Sequence, residues 1–326
     1  MKAAASTAFA GQIDAYLAHW RALGRRYRQE QWLLQTLLRE LPALGFDDLS
    51  APSFERWFDA RRHRHPNSRR KWAQIIRHFC IFRRRSEPGC FVPGPELICR
   101  GQPYVTPVIA DDRDVARMIE AADALEPSPK SPLRPATMRL AIVLLYTTGL
   151  RLGELRRLEL RDIEDDGTVL RVRESKFHRT RVLPLSASTA AELGAYLRRR
   201  TAAGFDIRPT APLLCVRVRR RGRTGPYSIA GLQHGLKSLL GEAARAAGKP
   251  RVPRVHDLRH SYAVQALARG YRQGADVQAL LPKLAMYMGH LSVESTAYYL
   301  RWTDEIARLA SQHFERHFGA VLGERP

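Results

Sequence analysis

The sequence predicts a mostly α-helical fold with a small antiparallel β-sheet, divided into two domains. Apolar residues recur at three- and four-residue steps through most of the chain, and two short runs between residues 168 and 185 alternate as strands do. A stretch rich in Pro and Gly, residues 86–107, interrupts this periodicity and predicts a linker. At 326 residues the chain is long enough for two domains that each bury a core.

The N-terminal domain, predicted over residues 1–102, is helical. Apolar residues at helical spacing predict helices over residues 11–23, 27–40, 51–62 and 67–85. The fourth helix has an apolar face suited to a core. On its opposite face Arg70, Arg77 and Arg84 recur every seven residues.

The fourth helix also lies in a strongly basic stretch. Residues 61–85 contain ten Lys and Arg residues and no acid, whereas a solvated helix normally carries charges of both signs. Such a surface either lies in solvent or neutralises phosphate groups, and the absence of acids favours phosphate. The candidate phosphate ligands are Arg69, Arg70, Arg77 and Arg84.

The C-terminal domain, predicted over residues 103–326, combines helices with a small sheet. Strands are predicted over residues 168–173 and 181–185, joined by the turn 174–180. The arginine-rich run Arg217–Arg223 is predicted as a basic loop.

Most of the C-terminal domain is predicted to be helical. Thr189 and Glu192 have the spacing of a capping box that begins one of its helices. The others are predicted near residues 111–125, 136–148, 229–240, 257–269, 277–289, 293–301 and 303–317.

The charge of the chain indicates its class of partner. Lys and Arg number 54 and Asp and Glu 32, which gives a net charge of +22. Such a field attracts polyanions, so nucleic acid is the leading partner and an anionic membrane surface the second. The longest apolar run, Leu140–Tyr146, is far shorter than the roughly 20 residues that span a membrane. The N-terminus lacks a convincing secretory signal, and we expect a cytoplasmic protein without membrane partners.

The cysteines do not predict a metal site. Cys80, Cys90, Cys99 and Cys215 show no C-x-x-C spacing and have no paired histidine at the distance of a zinc ligand. We expect reduced thiols, as is usual in a cytosolic protein, and no metal.

Several side chains together fit the cleavage and rejoining of a phosphodiester. Without a metal, that reaction needs a nucleophile, cations around the non-bridging oxygens and a proton donor for the leaving 5′ oxygen. Each candidate alone is a weak signal, since His-x-x-Arg occurs three times in this arginine-rich chain. The pair His256 and Arg259 stands out, because it begins a predicted helix that Asp257 can cap and whose N-terminus favours an anion. The full candidate set is Arg151, Lys176, His256, Arg259, His290 and Tyr299.

Four stretches, in this order, resemble motifs of the tyrosine recombinase, or phage-type integrase, family. The resemblance covers nearly the whole chain. It implies a helical core-binding domain over residues 1–102 and a catalytic α+β domain over residues 103–326, which clamp DNA between them. The matching stretches are TTGLRLGEL at 147–155, SKFHRTRVLPL at 175–185, HDLRHSYA at 256–263 and MGHLSVESTAYY at 288–299.

The resemblance assigns roles to the six candidate residues. Tyr299 is the implied nucleophile, because it lies nine residues after His290, the usual spacing in the family. Its neighbour Tyr298 is the rival, but adjacent helical residues point about 100° apart, so both cannot face one phosphate equally. Lys176 is the implied proton donor for the leaving oxygen. Two arginines, Arg151 and Arg259, are expected to hold the non-bridging oxygens, with hydrogen bonds from His256 and His290.

The resemblance also implies the activity and the partners. It implies a site-specific recombinase that cleaves and rejoins DNA through a 3′-phosphotyrosine, without metal, ATP or other cofactor. The expected partners are double-stranded DNA with inverted-repeat sites, three further copies in a homotetramer, and an accessory recombinase or directionality factor. The alternatives are a catalytically silent DNA-binding accessory protein and a type IB topoisomerase-like relaxase. A basic protein that binds membrane surfaces is a more distant alternative.

Overall fold

The computed structural model describes residues 2–102, 105–173, 180–218, 223–289, 308 and 311–312. The chain divides into two compact units, Met1–Val105 and Thr106–Pro326. The boundary predicted after residue 102 lies three residues before this division. The predicted fold class, mostly helical with small antiparallel sheets, is confirmed.

Unit 1 is built from four helices around an aromatic core. The core includes Phe9, Phe54, Trp57 and Phe79, each with at most 2% of its surface exposed. The first helix begins well before its predicted start at residue 11, because the preceding alanine-rich residues favour a helix and Phe9 joins the core. The helices are α1 (Lys2–Ala22), α2 (Arg28–Glu40), α3 (Ala51–Asp59) and α4 (Pro66–Arg83).

A buried arginine ties the end of α4 to the loop before α3. Arg83 donates two hydrogen bonds of 2.7 Å to the carboxylate of Asp48 and one of 2.9 Å to Glu87. Its guanidinium also lies over the rings of Phe9 and Phe79, at 5.2 and 5.8 Å from their centroids. Both carboxylates stay about half exposed, so Arg83 bears most of the desolvation in this cluster.

Unit 2 is organised around α6, a helix that is apolar on nearly every side. It packs against α5, α8, α9 and α10, as expected of a helix whose apolar residues do not form a single stripe. The helices of this unit are α5 (Asp112–Asp123), α6 (Arg134–Thr148), α7 (Leu152–Arg157), α8 (Ala187–Ala202), α9 (Ile229–Ala246), α10 (Asp257–Arg272) and α11 (Val277–Met288). Across the described residues, no helix is both long and apolar enough to cross a membrane.

Unit 2 carries two small antiparallel sheets. The first has the order β1-β2-β3, with Val172 opposite Arg181, and contains both predicted strands. The second pairs β4 with β5, so the predicted loop Arg217–Arg223 is wrong at its two ends. Repeated arginines hid this hairpin, because they suggest a solvated loop. The strands are β1 (Ile163–Glu164), β2 (Val169–Val172), β3 (Arg181–Pro184), β4 (Cys215–Val218) and β5 (Arg223–Pro226).

The cap of α8 also differs from the prediction. Thr189 does not begin the helix; Ser186 is the N-cap, and its hydroxyl accepts a 3.3 Å hydrogen bond from the amide of Thr189. The expected pair of Thr189 and Glu192 therefore lies inside the helix. Glu192 instead binds Arg139 of α6.

We predict that Arg83→Met destabilises unit 1. The substitution keeps an apolar stem over the two rings but leaves two carboxylates without their partner, and we expect a loss of about 1–3 kcal/mol. Urea unfolding followed by tryptophan fluorescence measures this, since four of the five tryptophans belong to unit 1. Arg85→Met is the matched control, because Arg85 is exposed. An equal effect of the two substitutions would contradict the prediction.

Candidate active site

Three of the six predicted catalytic residues lie in the described part of unit 2, and the structure brings them together. Arg151 and Arg259 bind carbonyls at the C-terminal end of α11, and His256 lies close enough to both arginines for their charges to act on its ring. The other three, Lys176, His290 and Tyr299, lie outside the described residues.

Arg259 joins three segments of the chain from inside the unit. It lies in the first turn of α10 and only 1% of its surface is exposed. One end of its guanidinium donates to the carbonyl of Gly149, and the other donates to the carbonyl of Met288 over 2.7 Å. This cation therefore connects the end of α6, the start of α10 and the end of α11.

Arg151 reaches the same end of α11 from another direction. It is the N-cap residue of α7, and its Nη2 donates a 3.0 Å hydrogen bond to the carbonyl of Gly289. Arg259 and Arg151 thus bind consecutive carbonyls, those of Met288 and Gly289. Met288 and Gly289 are the first two residues of the fourth family motif, and His290 follows them in the sequence.

Two glycines make these contacts feasible. Gly149 ends α6 with a φ of +61°, and a Cβ there would lie 2.5 Å from Cδ1 of Tyr262. Gly289 ends α11 with a φ of +68°, and a Cβ there would lie 3.0 Å from Nη1 of Arg181. Both positions require the left-handed conformation that a residue without a Cβ adopts at little cost.

A buried carboxylate holds the Arg151 guanidinium. Glu154 is 3% exposed; its Oε1 accepts from Nη1 of Arg151 over 2.8 Å, and its Oε2 accepts from the Arg151 amide over 3.0 Å. Arg181 also donates to both oxygens, over 3.2 and 2.8 Å. Burial alone would raise the pKa of Glu154, but the hydrogen bonds and charge of Arg181, followed by those of Arg151, lower it to about 2.

Arg181 is the residue of this cluster that the sequence did not reveal. In the sequence it marks only the strand after the turn that contains Lys176. In the structure it begins β3 and lies 10% exposed against Glu154. The Arg151–Glu154 pair follows from helical i, i+3 spacing, but no local pattern links either residue to Arg181, which is 27 positions from Glu154.

His256 adds an imidazole beside the two arginines. It occupies the N-cap position of α10, where only part of its surface is exposed to solvent, and its ring meets that of His260 edge-on at 4.9 Å. Loss of hydration around the ring lowers the pKa of His256 most, and the positive charges of His260, Arg259 and Arg151 lower it further, to about 4. Near pH 7 the ring is therefore neutral and can offer one N–H.

Asp257 does not cap α10 as expected. It is the first residue of the helix, 1% exposed, and its carboxylate accepts from the amide of Arg254 over 2.9 Å and from that of Val108 over 3.3 Å. It therefore holds the chain that leads into α10. The amides at the start of the helix are not its partners in these bonds.

In unit 1, the predicted phosphate ligands of α4 contact other parts of that unit. Arg77 donates to the carbonyl of Pro93, and Arg84 donates to that of Cys90 over 3.3 Å. Arg69 lies over the ring of Phe58, and Arg70 borders Gly101. The guanidinium groups of Arg77 and Arg84 therefore bind the segment that follows the helix. Contact of these arginines with phosphate stays a prediction.

The described residues do not point to a metal. Among them, no group of three or more His, Cys, Asp or Glu side chains is placed to hold a metal ion. All four cysteines are free thiols, and burial raises the pKa of Cys215 and of Cys80, the latter to about 12. Two guanidinium groups at the end of α11 and a neighbouring imidazole are instead the types of donor that bind a phosphate.

Comparison with known proteins identifies the family. A model described as the phage integrase family matches residues 111–305, which is more than half of the chain. The chain belongs to the phage integrase family. The resemblance to tyrosine recombinases is thus confirmed, and so is the enzyme class, a tyrosine-type site-specific recombinase, at the level of the family.

Relatives of this integrase-family chain are similar over much of its length. The y4rE protein of Sinorhizobium fredii, whose name describes it as an integrase/recombinase, is 31% identical over 301 residues, which are 92% of this chain and 94% of y4rE. Tyrosine recombinase XerA of Pyrococcus furiosus is 32% identical over 203 residues, which are 62% of this chain and 59% of XerA.

Solved structures of integrases share the fold. The Tn1549 transposon integrase in complex with a circular intermediate DNA superposes with a TM-score of 0.63 at 15% identity, covering 92% of this chain and 98% of that one. A lambda integrase dimer bound to a COC′ core site superposes with a TM-score of 0.56 at 17% identity, covering 89% and 76%.

We predict that His256 titrates near pH 4 in the free protein and at a higher pH when a phosphate occupies the site. An anion favours the charged imidazole, whereas the neighbouring cations disfavour it. NMR titration of labelled histidines, with His256→Gln to assign the resonance, measures both midpoints. A midpoint near the ordinary 6.5 in the free protein would contradict the prediction.

The same pKa shift has a consequence for stability. Between pH 6.5 and 4 the unfolded chain takes up a proton at His256 that the folded chain does not, so stability falls as the pH falls through this window. In His256→Gln this contribution to the pH dependence is absent.

Proposed function

We propose that this integrase-family protein is a site-specific DNA recombinase that cleaves and rejoins strands through a covalent 3′-phosphotyrosine at Tyr299. The observation that carries the proposal is the convergence of Arg151 and Arg259 on consecutive carbonyls directly before His290, with His256 beside them. Tyr299 follows His290 by nine residues, so the motif that would supply the nucleophile begins where the cations meet.

The proposed first step is attack on the scissile phosphate. The phenolic oxygen of Tyr299 forms a bond to phosphorus as its proton leaves, which its ordinary pKa near 10 makes difficult in water. Arg151 and Arg259 stabilise the charge that grows on the non-bridging oxygens, and His256 and His290 donate hydrogen bonds. The bond from phosphorus to the 5′ oxygen breaks.

Protonation of the departing 5′ oxygen completes the cleavage, and a second attack restores the phosphodiester. Lys176 gives a proton to the departing 5′ oxygen, which leaves as a hydroxyl. In the second step, a 5′-hydroxyl of another strand attacks the phosphotyrosine and gives its proton back to Lys176, while the Tyr299 oxygen leaves and regains its proton. Because one phosphate ester replaces another, the reaction needs no ATP. We expect no cofactor for it.

The proposed partner is double-stranded DNA with inverted-repeat sites. The net charge of +22 favours a polyanion, and the similar Tn1549 transposon integrase was solved in complex with a circular intermediate DNA. Exchange between two such sites engages four copies of the chain, and we propose a homotetramer on DNA. An accessory recombinase or directionality factor and a cytoplasmic location belong to the same proposal, as does the division into a core-binding domain, 1–102, and a catalytic domain, 103–326.

We predict that Tyr299→Phe abolishes the covalent adduct, whereas Tyr298→Phe keeps it. A duplex nicked near the cleavage point traps the adduct, because the short 5′-hydroxyl strand diffuses away, and denaturing gel electrophoresis detects it. Adduct that persists in Tyr299→Phe and vanishes in Tyr298→Phe would overturn the choice of nucleophile. The wild-type protein is tested on the inverted repeats in the DNA that flanks its gene. If it binds this DNA without forming an adduct, the result would favour a catalytically silent accessory protein.

We predict that Glu154→Gln slows cleavage by about 10- to 100-fold without weakening DNA binding in proportion. A neutral amide cannot hold two guanidinium groups as a carboxylate does, so Arg151 loses its fixed position. Single-turnover adduct formation at saturating protein measures the rate. Glu159→Gln is the matched control, because Glu159 pairs with Arg161 near the surface. Equal rates for Glu154→Gln and the control would contradict the prediction.

A further inference from the structure

An open aromatic cleft in unit 1 has no role in the proposed reaction. It has a volume of about 460 Å³ and lies where α2, the end of α3 and the start of α4 meet. Three tryptophans line it in a row. Trp57 is buried. The ring centroid of Trp72 lies 6.4 Å from that of Trp57 and 6.1 Å from that of Trp32. Trp32 is 53% exposed, so the aromatic surface runs from the core to solvent.

The acidic group of the cleft is already neutralised. Glu40 accepts a 2.8 Å hydrogen bond from the indole N–H of Trp57 and forms an ion pair with Arg61. The Arg61 guanidinium lies 3.7 Å above the centroid of the Trp57 ring and donates to the Trp57 carbonyl over 2.9 Å. Arg61 is thus fixed inside the cleft, where its charge offsets that of Glu40.

The rim of the cleft is basic. The turn between α3 and α4 contains Arg62, His63 and Arg64, all exposed, and the last two line the cleft. Within the described part of the chain, no carboxylate forms an ion pair with Arg62 or Arg64. The cleft therefore combines a wide aromatic surface with positive charge at its mouth.

We propose that this cleft binds a nucleotide of single-stranded DNA, with the base stacked on Trp32 and the phosphate at Arg62 and Arg64. Every base has an aromatic face that stacks on tryptophan, and the attached phosphate matches the basic turn. Paired bases in a duplex cover each other's faces, so the ligand is an unpaired nucleotide. The inference rests on DNA as the substrate proposed above, but it uses none of the residues that cleave it.

Binding of a labelled oligothymidylate to the full-length protein, measured by fluorescence anisotropy, tests the proposal. Raised salt suppresses the general attraction of a basic protein for DNA and leaves stacking as the larger contribution. Trp32→Leu keeps an apolar side chain but removes the ring, and we expect affinity to fall by at least about fivefold. Trp32→Phe keeps a ring and retains most of the affinity. Ile81→Ala, which removes an exposed apolar side chain of α4 outside the cleft, is the matched control and leaves affinity unchanged.

The salt dependence of oligothymidylate binding tests the charge of the rim separately. Substitution of Arg62 and Arg64 by Gln lowers the slope of log affinity against log salt by about 0.7 for each phosphate group that the rim no longer neutralises. Thermal unfolding checks that each variant is folded. Because Trp32 is largely exposed, we expect its substitution to leave the fold intact.

Two results would overturn the proposal. One is an affinity of Trp32→Leu for oligothymidylate equal to that of wild type. The other is a change in self-association of Trp32→Leu, by sedimentation, with DNA binding intact, which would assign the cleft to a second copy of the chain. Failure of the proposed function gives a different signature: no covalent adduct forms on nicked duplex, while the Trp32-dependent binding of oligothymidylate persists.

Discussion

The ionised carboxylate of Glu154 is the group on which the arrangement of the site depends. Buried in unit 2, it binds Arg151 and Arg181, which come from separate segments of the chain. Without its negative charge, two guanidinium groups would lie close together with nothing to offset their repulsion. With it, Arg151 extends to the carbonyl of Gly289, and the buried Arg259 binds the neighbouring carbonyl of Met288. One acid thereby fixes a strongly positive point inside a strongly basic protein.

Much of the fold could be predicted because its elements have local signatures. The helices of unit 1 and the strands β2 and β3 show apolar periodicity that sequence alone displays. The pairing of β4 with β5 was missed, because the arginines in and between these strands suggest a solvated loop. The cap of α8 was misplaced by three residues, since Ser186, Thr189 and Glu192 form two overlapping capping patterns and the choice between them depends on where the helix meets its neighbours.

Three of the candidate site residues lie together in the structure, but the contacts that hold them in place could not be predicted from the sequence. Motif spacing points to Arg151, His256 and Arg259, and the structure brings these three together. Arg181 could not be found in this way, because its tie to Glu154 spans 27 residues and exists only once the sheet is folded. The arginines of α4 give the opposite lesson: their seven-residue spacing predicts a face that contacts phosphate, yet in the structure Arg77 and Arg84 bind carbonyls of the segment that follows.

Arg151 and Arg259 bind backbone carbonyls of the chain itself, and this has a consequence for selectivity. A small anion in the cell, such as inorganic phosphate or a free nucleotide, must displace these internal hydrogen bonds with the interactions of a single group. A long polymer that lies along the protein gains many other contacts at the same time, so it can offset that displacement. In the proposed reaction, these internal hydrogen bonds therefore favour DNA over abundant small anions.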